Sequence, residues 1–132
     1  MTRRRIGLFG GTFDPPHVGH LAVAAAVAQQ CEFDPLLMVV AADPWQKRDD
    51  RRVTPAATRL AMLNAAVAGH PDLRVDDREV KRGGTTYTYD TVIELQEENP
   101  DAEISLVLGA DAVSRLGTWH RSAELSQRVK VV

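Results

Sequence analysis

One cysteine, two tryptophans and an aromatic content of only 5% in 132 residues exclude several kinds of protein at once. A lone Cys31 cannot close an internal disulfide, so the chain is not a disulfide-stapled secreted scaffold. Set beside an apolar helical stretch, the thiol reads as packing. So cysteine-poor a chain suits a reducing compartment, and the expected location is cytoplasmic. No apolar run approaches the roughly 20 residues needed to span a bilayer, and no membrane partner is expected. Residues 6–9 are too short for a signal-peptide core and run straight into Gly10 and Gly11. An excess of one charge is also missing. Sixteen basic residues stand against 18 acidic ones, a formal net charge of -2. That balance lacks the basic stripe needed to displace phosphate counterions, so nucleic acid is not an expected partner. The cluster Arg3, Arg4 and Arg5 reads as a solvated arm.

There is enough apolar material for one domain covering residues 1–132, with 44% hydrophobic and 26% charged residues. A chain of this length buries roughly two thirds of its unfolded surface and needs no staple. Residues 6–9 and the run Leu36-Leu37-Met38-Val39-Val40 read as buried strands. Between them, Val18 to Gln30 is rich in Ala and Val without a polar stripe, as suits a helix packed closely on a sheet. Strand, helix and strand at this spacing form a parallel crossover. Thr54 is expected to cap a second helix with Pro55 at its first position, Leu60, Met62, Leu63 and Val67 on its apolar face, and Gly69 and Pro71 as stops. Leu73-Arg74-Val75 is a further strand, and 76–84 reads as polar turn. A helix over about 89–98, capped by Thr88 or a neighbour, ends at Asn99-Pro100. A strand over 104–108, short helices near 112–116 and 122–126, and a strand over 129–132 complete the pattern. The alternation predicts a Rossmann-like, doubly wound α/β domain with a mostly parallel five-stranded sheet and helices on both faces.

In such sheets ligands gather at the carboxyl ends of the strands. There the sequence places Gly10-Gly11-Thr12-Phe13-Asp14-Pro15-Pro16-His17-Val18-Gly19-His20. Bare peptide at a double glycine admits an anion close to the backbone, and a helix start adds unpaired N–H groups. His17 and His20 are three residues apart and share one face of the first helical turn. On the residues alone three readings stay open: phosphate donors, core imidazoles, or a metal pair. The metal reading lacks a third and fourth ligand elsewhere in the pattern. The glycines match neither the dinucleotide fingerprint nor the Walker pattern. His70 before Pro71 and His120 in a loop are assigned no site, and Phe13 is expected to pack.

The segment from Gly10 to His20 resembles the signature of the nucleotidylyltransferase superfamily that carries a His-x-Gly-His element. Within it the chain is similar to bacterial nicotinate-nucleotide adenylyltransferases. Pro44-Trp45-Gln46-Lys47, Tyr87-Thr88, Gly109-Ala110-Asp111 and Thr118-Trp119 match in the same order, so the resemblance covers essentially the whole chain. It implies transfer of AMP from ATP to nicotinate mononucleotide, forming deamido-NAD and pyrophosphate in NAD biosynthesis, with Mg²⁺ accompanying ATP. His17 and His20 would be the catalytic donors. Gly10, Gly11 and Thr12 would line the phosphate site, and Gly109 and Asp111 the adenosine side. Lys47, Tyr87, Thr88 and Trp119 would bind nicotinate mononucleotide, Trp119 as a stacking platform and Lys47 as a loop cation.

The family pattern continues with a strand-end Arg-Pro-Gly segment and a Ser/Thr-rich Ile-Ser-Ser-Thr-x-x-Arg element, neither of which occurs here. The chain is therefore expected to lack the C-terminal portion of the family fold and to turn over weakly or not at all by itself. Two other readings compete. A sister transferase, such as pantetheine-phosphate adenylyltransferase or a cytidylyltransferase, shares the phosphate signature and differs in the acceptor pocket. A nucleotide-binding sensor would keep the cradle without turnover. No residue pattern speaks to nicotinate against nicotinamide selectivity, and a homo-oligomer is compatible with the sequence.

Overall fold

A computed structural model describes residues 4–11, 13, 16, 18–41, 54–83, 87–108 and 116–132. Its elements run β1 (Arg5–Gly11), α1 (Val18–Gln30), β2 (Leu36–Val40), α2 (Ala56–Val67), β3 (Leu73–Asp76), α3 (Arg78–Arg82), α4 (Thr88–Glu98), β4 (Glu103–Leu106), a 3-10 turn (Leu116–Thr118), α5 (Ser122–Arg128) and β5 (Lys130–Val131). The five strands form one sheet in the order β3-β2-β1-β4-β5, and every neighbouring pair is parallel. The strand order reverses at β1, which carries β2 on one side and β4 on the other. This is the topological switch point at which open parallel sheets bind ligands.

Both faces of the sheet are covered, and the alternation of side chains along each strand decides what covers them. Ile6, Leu8, Leu37, Val39, Ile104 and Leu106 pack with Tyr89, Val92 and Leu95 of α4 and Leu125 of α5. Leu36, Met38, Val40 and Leu73 pack on the opposite face with Ala24 and Ala28 of α1, Phe33 and Leu63 of α2. All five residues of β2 are buried, which is why its sequence is an unbroken apolar run. Gly7 has no room for a side chain: a Cβ there would lie 2.5 Å from both Leu36 Cδ1 and Phe33 Cδ2.

Several local expectations are corrected. Pro55, with ψ at 141°, precedes α2 rather than opening it, and no side-chain cap bond forms there, so Thr54 is not the cap. The carbonyl of Pro55 instead accepts from Thr58 and Arg59 N–H. Thr88 is the first residue of α4, after an extended Tyr87 and again without a side-chain cap. The stretch expected to be turn contains α3, stopped by Gly83 at φ 71°. Its first N–H, that of Arg78, donates to Asp76 Oδ1 at 2.9 Å, and the Arg78 guanidinium spans Asp76 and Glu98. Helix α1 is apolar without being fully covered, and Val23 remains 51% exposed. The short helix expected near 112–116 falls mostly outside the described residues, and Leu116 opens the 3-10 turn.

Candidate active site at the carboxyl edge of the sheet

Because all the strands are parallel, the segments leaving β1 and β4 and the start of α4 share one edge of the sheet. Gly10 and Gly11 end β1 there. Gly10 is exposed, and a Cβ built on it meets nothing within 4 Å among the described residues, so its bare peptide is open on that side. Gly11 is closer to its neighbours: its carbonyl accepts from Ala41 N–H at 3.0 Å, and a Cβ would lie 3.2 Å from the Phe13 ring. Phe13 is 3% exposed and adopts φ 50°, in the left-handed region that a bulky residue seldom occupies. That turn buries the phenyl ring beneath the glycines, so Phe13 packs, as expected from the sequence.

The ring of Phe13 also supports His20. The imidazole is half-buried in the first turn of α1, 5.3 Å from the Phe13 centroid and edge-on at 83°, with Phe9 at 6.5 Å. Phe9 and Phe13 themselves meet edge-on at 5.8 Å. Two phenyl rings thus fix the tilt of His20 beside the double glycine. The ring lies against an aromatic wall and is not sunk in the core.

Tyr87, Thr88 and Trp119 gather on the other side of the edge. Tyr87 and Thr88 are half-buried at the mouth of α4. Trp119 is half-buried and packs on the cluster that contains Leu106, Tyr89 and Leu125, so it belongs partly to the core. Its N–H donates to Leu116 O at 3.1 Å, and its carbonyl accepts from Ser122 N–H at 3.1 Å. The expected sites at Thr12, His17, Lys47, Gly109 and Asp111 lie outside the described residues.

Three residues that sequence reasoning passed over belong to the surroundings of this edge. His120 is exposed yet stacks on Tyr87, with centroids 4.1 Å apart and planes 25° apart. Arg121 lays its guanidinium 4.4 Å over the Tyr89 ring. Its charge is held up chiefly by the hydrogen bonds to Glu124, and the same bonds hold the Glu124 carboxyl below its ordinary range. Arg59, 1% exposed on α2, donates from Nη1 to Ala41 O at 2.6 Å and from Nε to Thr54 O at 2.7 Å. It ties the end of β2 to the start of α2. One signal for it was available: Arg59 stands four residues before Leu63, on the face that α2 buries.

Comparison with known proteins bears on the family and the fold. The family model described as cytidylyltransferase-like matches residues 8–132. A Methylibium petroleiphilum protein named "Probable nicotinate-nucleotide adenylyltransferase" is 46% identical over 127 residues, which are 96% of this chain and 59% of that protein. A Corynebacterium kroppenstedtii protein of the same name is 46% identical over 121 residues, 92% of this chain and 57% of its own length. The chain therefore spans less than two thirds of these curated relatives. Among solved structures, a Vibrio parahaemolyticus protein carrying a nicotinate-nucleotide adenylyltransferase name superposes with a TM-score of 0.81 at 23% identity, over 97% of this chain and 71% of that one. A Plasmodium falciparum nicotinic acid mononucleotide adenylyltransferase complexed with NaAD gives 0.79 at 21% identity, over 92% of this chain and 60% of that one. At these identities the structural likeness establishes the Rossmann-like fold.

Proposed function

The chain belongs to the cytidylyltransferase-like family, and from that premise we propose that it transfers AMP from ATP to nicotinate mononucleotide, giving deamido-NAD and pyrophosphate in NAD biosynthesis. One observation carries the choice of acceptor: 46% identity, over 96% of this chain, to a protein named for that nucleotide. The two small-molecule nucleotides are the partners in this reading, and the cytoplasm is the compartment. Among the described residues no helix is long and apolar enough to cross a membrane.

The chemistry asks little of the protein beyond placement and charge. The attacking phosphate is already ionised at neutral pH, so no general base is required. The rate comes from aligning attacker and leaving group and from donors aimed at the α-phosphoryl oxygens. His20, held by Phe9 and Phe13, supplies one donor in this reading, and His17 a second. Gly10 leaves the space a phosphate needs to approach the peptide. Thr12 completes the phosphate site, Gly109 and Asp111 meet the adenosine side, and Lys47 reaches the acceptor phosphate. Tyr87 and Thr88 stand at the mouth of α4, where backbone N–H groups can meet a ring carboxylate, and Trp119 offers a half-exposed face to the ring.

Mg²⁺ enters with ATP in this proposal. Among the described residues no three His, Cys, Asp or Glu side chains cluster closely enough to hold a metal ion. An ion carried in by ATP would keep phosphate oxygens and water as its main ligands. Bound to the phosphates, it would offset charge on the departing pyrophosphate.

Pyrophosphate release decides the matter. The protein, extended at its C-terminus to the length of its curated relatives, is incubated with ATP and, in turn, nicotinate mononucleotide, nicotinamide mononucleotide and phosphopantetheine, with CTP replacing ATP in a parallel series. Residues 1–132 alone, expected to turn over weakly or not at all, are run beside it. Release with ATP and nicotinate mononucleotide is expected. Turnover confined to phosphopantetheine, or to CTP, refutes the proposal. Tight ATP binding by calorimetry without release for any acceptor favours the sensor reading.

A further inference from the structure

We infer that His120 is a positioning residue for the acceptor half of the site, acting through its stack on Tyr87. The inference rests on the acceptor reading given above. An exposed imidazole gains nothing from the core, yet His120 lies nearly flat on a half-buried tyrosine 4.1 Å away. The next residue repeats the device. Arg121 covers Tyr89 at 4.4 Å, and Glu124 accepts from Arg121 Nη2 at 2.6 Å and from the Tyr89 hydroxyl at 3.4 Å. Two successive residues of one segment thus meet two alternate residues at the mouth of α4.

Trp119 sits immediately before this double contact. Its backbone is fixed on one side by Leu116 and on the other by Ser122. The body of its ring leans on the core that includes Tyr89. Arg121, with φ at 55°, turns the chain into α5 and secures the far side of the segment against Tyr89. His120 secures the near side against Tyr87, the residue that bounds the start of α4. With the imidazole in place, the Trp119 ring and the first turn of α4 hold one relative position. Without it, that position must be set each time a ligand binds, and the cost appears in acceptor affinity. The ATP side is independent of this lock, because Phe13 packs in the cluster on the opposite face of the sheet and carries His20 with it.

His120→Ala and His120→Phe test the inference by calorimetry with nicotinate mononucleotide and, separately, with ATP. His120→Ala is expected to weaken nicotinate mononucleotide binding by roughly three- to tenfold, the range that one aromatic pair supplies. ATP binding should stay within about twofold, a shift well below one pair's contribution. His120→Phe restores the stack without the charge and should restore acceptor affinity. Amide exchange at residues 118–122 should quicken in the alanine variant and return to wild-type rates in the phenylalanine variant. Unchanged acceptor affinity in His120→Ala, equal weakening of both ligands, or failure of His120→Phe to restore would each overturn the inference. Wild-type protein that binds ATP but not nicotinate mononucleotide overturns the acceptor reading itself. In that case the exchange measurement still decides whether the stack holds the segment, and unchanged exchange overturns that too.

Discussion

Gly7 and Gly10 stand three residues apart on the same strand, and the structure predicts opposite consequences for the same added methyl group. At Gly7 the new carbon would sit 2.5 Å from Leu36 Cδ1 and Phe33 Cδ2, and 2.9 Å from Phe33 Cε2. Carbon atoms in contact prefer about 3.5–4.0 Å, so both neighbours must retreat by about 1 Å. Leu36 is 0% and Phe33 4% exposed, and neither can swing into solvent to make room. Overpacking of this kind costs about 1–3 kcal/mol. Taking about 2 kcal/mol, Gly7→Ala should lower Tm by roughly 6 °C for a domain of this size, while the ligand site stays formed in the folded fraction. At Gly10 the methyl meets nothing within 4 Å among the described residues, and no positive φ forbids it, so Tm should hold or rise slightly as the unfolded chain stiffens. In the proposed reading that methyl stands where the phosphate approaches, and ATP binding should fall roughly tenfold, about 1.4 kcal/mol. Thermal melts and ATP calorimetry on both variants check the pair. Wild-type ATP affinity in Gly10→Ala refutes the phosphate reading of the double glycine. A wild-type Tm in Gly7→Ala refutes the packing argument.

In the protein extended to the length of its curated relatives, His20→Ala should reduce pyrophosphate release by about a hundredfold, the size of a lost electrostatic donor; a rate within threefold of wild type, with ATP and acceptor saturating, would remove His20 from the chemistry. Arg59→Met keeps the apolar stem but strips donors from Ala41 and Thr54 carbonyls, and chemical denaturation should show a loss of about 3 kcal/mol. A change below about 1 kcal/mol, the net worth of one ordinary hydrogen bond, would mean those carbonyls find other partners. Thr91→Val removes the donor to Glu79 Oε2, a 2.6 Å bond between buried side chains joining α3 to α4. Its isosteric shape isolates the hydrogen bond, so a cost of about 1–2 kcal/mol is expected by denaturation, and no cost would contradict its role.

The strands were legible because burial on both faces leaves little freedom in composition. Leu36-Leu37-Met38-Val39-Val40 can only be a strand covered above and below, and β2 is that strand, central enough to pair with β1 and β3. Helix starts were harder to read. Thr54-Pro55 satisfies a local capping rule, but extended Pro55 delays α2 by one residue and lets its carbonyl accept from Thr58 and Arg59. Helix α3 escaped detection for a different reason. Five residues cannot display a period, and its stability is tertiary, supplied by Arg78 bridging Asp76 to Glu98 on another helix. Burial works against the charge on that guanidinium, but its carboxylate hydrogen bonds outweigh this and raise its pKa above the ordinary arginine range. No window of neighbouring residues contains such information.

The same distinction divides the site. The double glycine, Phe13 and His20 are consecutive in the first crossover, so their mutual placement follows from one turn and could be anticipated. His120 could not, because its significance depends on Tyr87 arriving from a separate crossover. The two groups lie on opposite sides of a sheet whose order reverses at β1. In the proposed reading, a dinucleotide product spans such a reversal naturally, one half on each side. Substitutions around His20 and Gly10 should therefore act on ATP, and those around Trp119, Tyr87 and His120 on the acceptor. Because the two groups are anchored in separate hydrophobic clusters, their effects should add in double variants. A strong coupling between Gly10→Ala and His120→Ala in ligand affinity would show instead that both halves are set by a single shared element, which this division of the sheet does not contain.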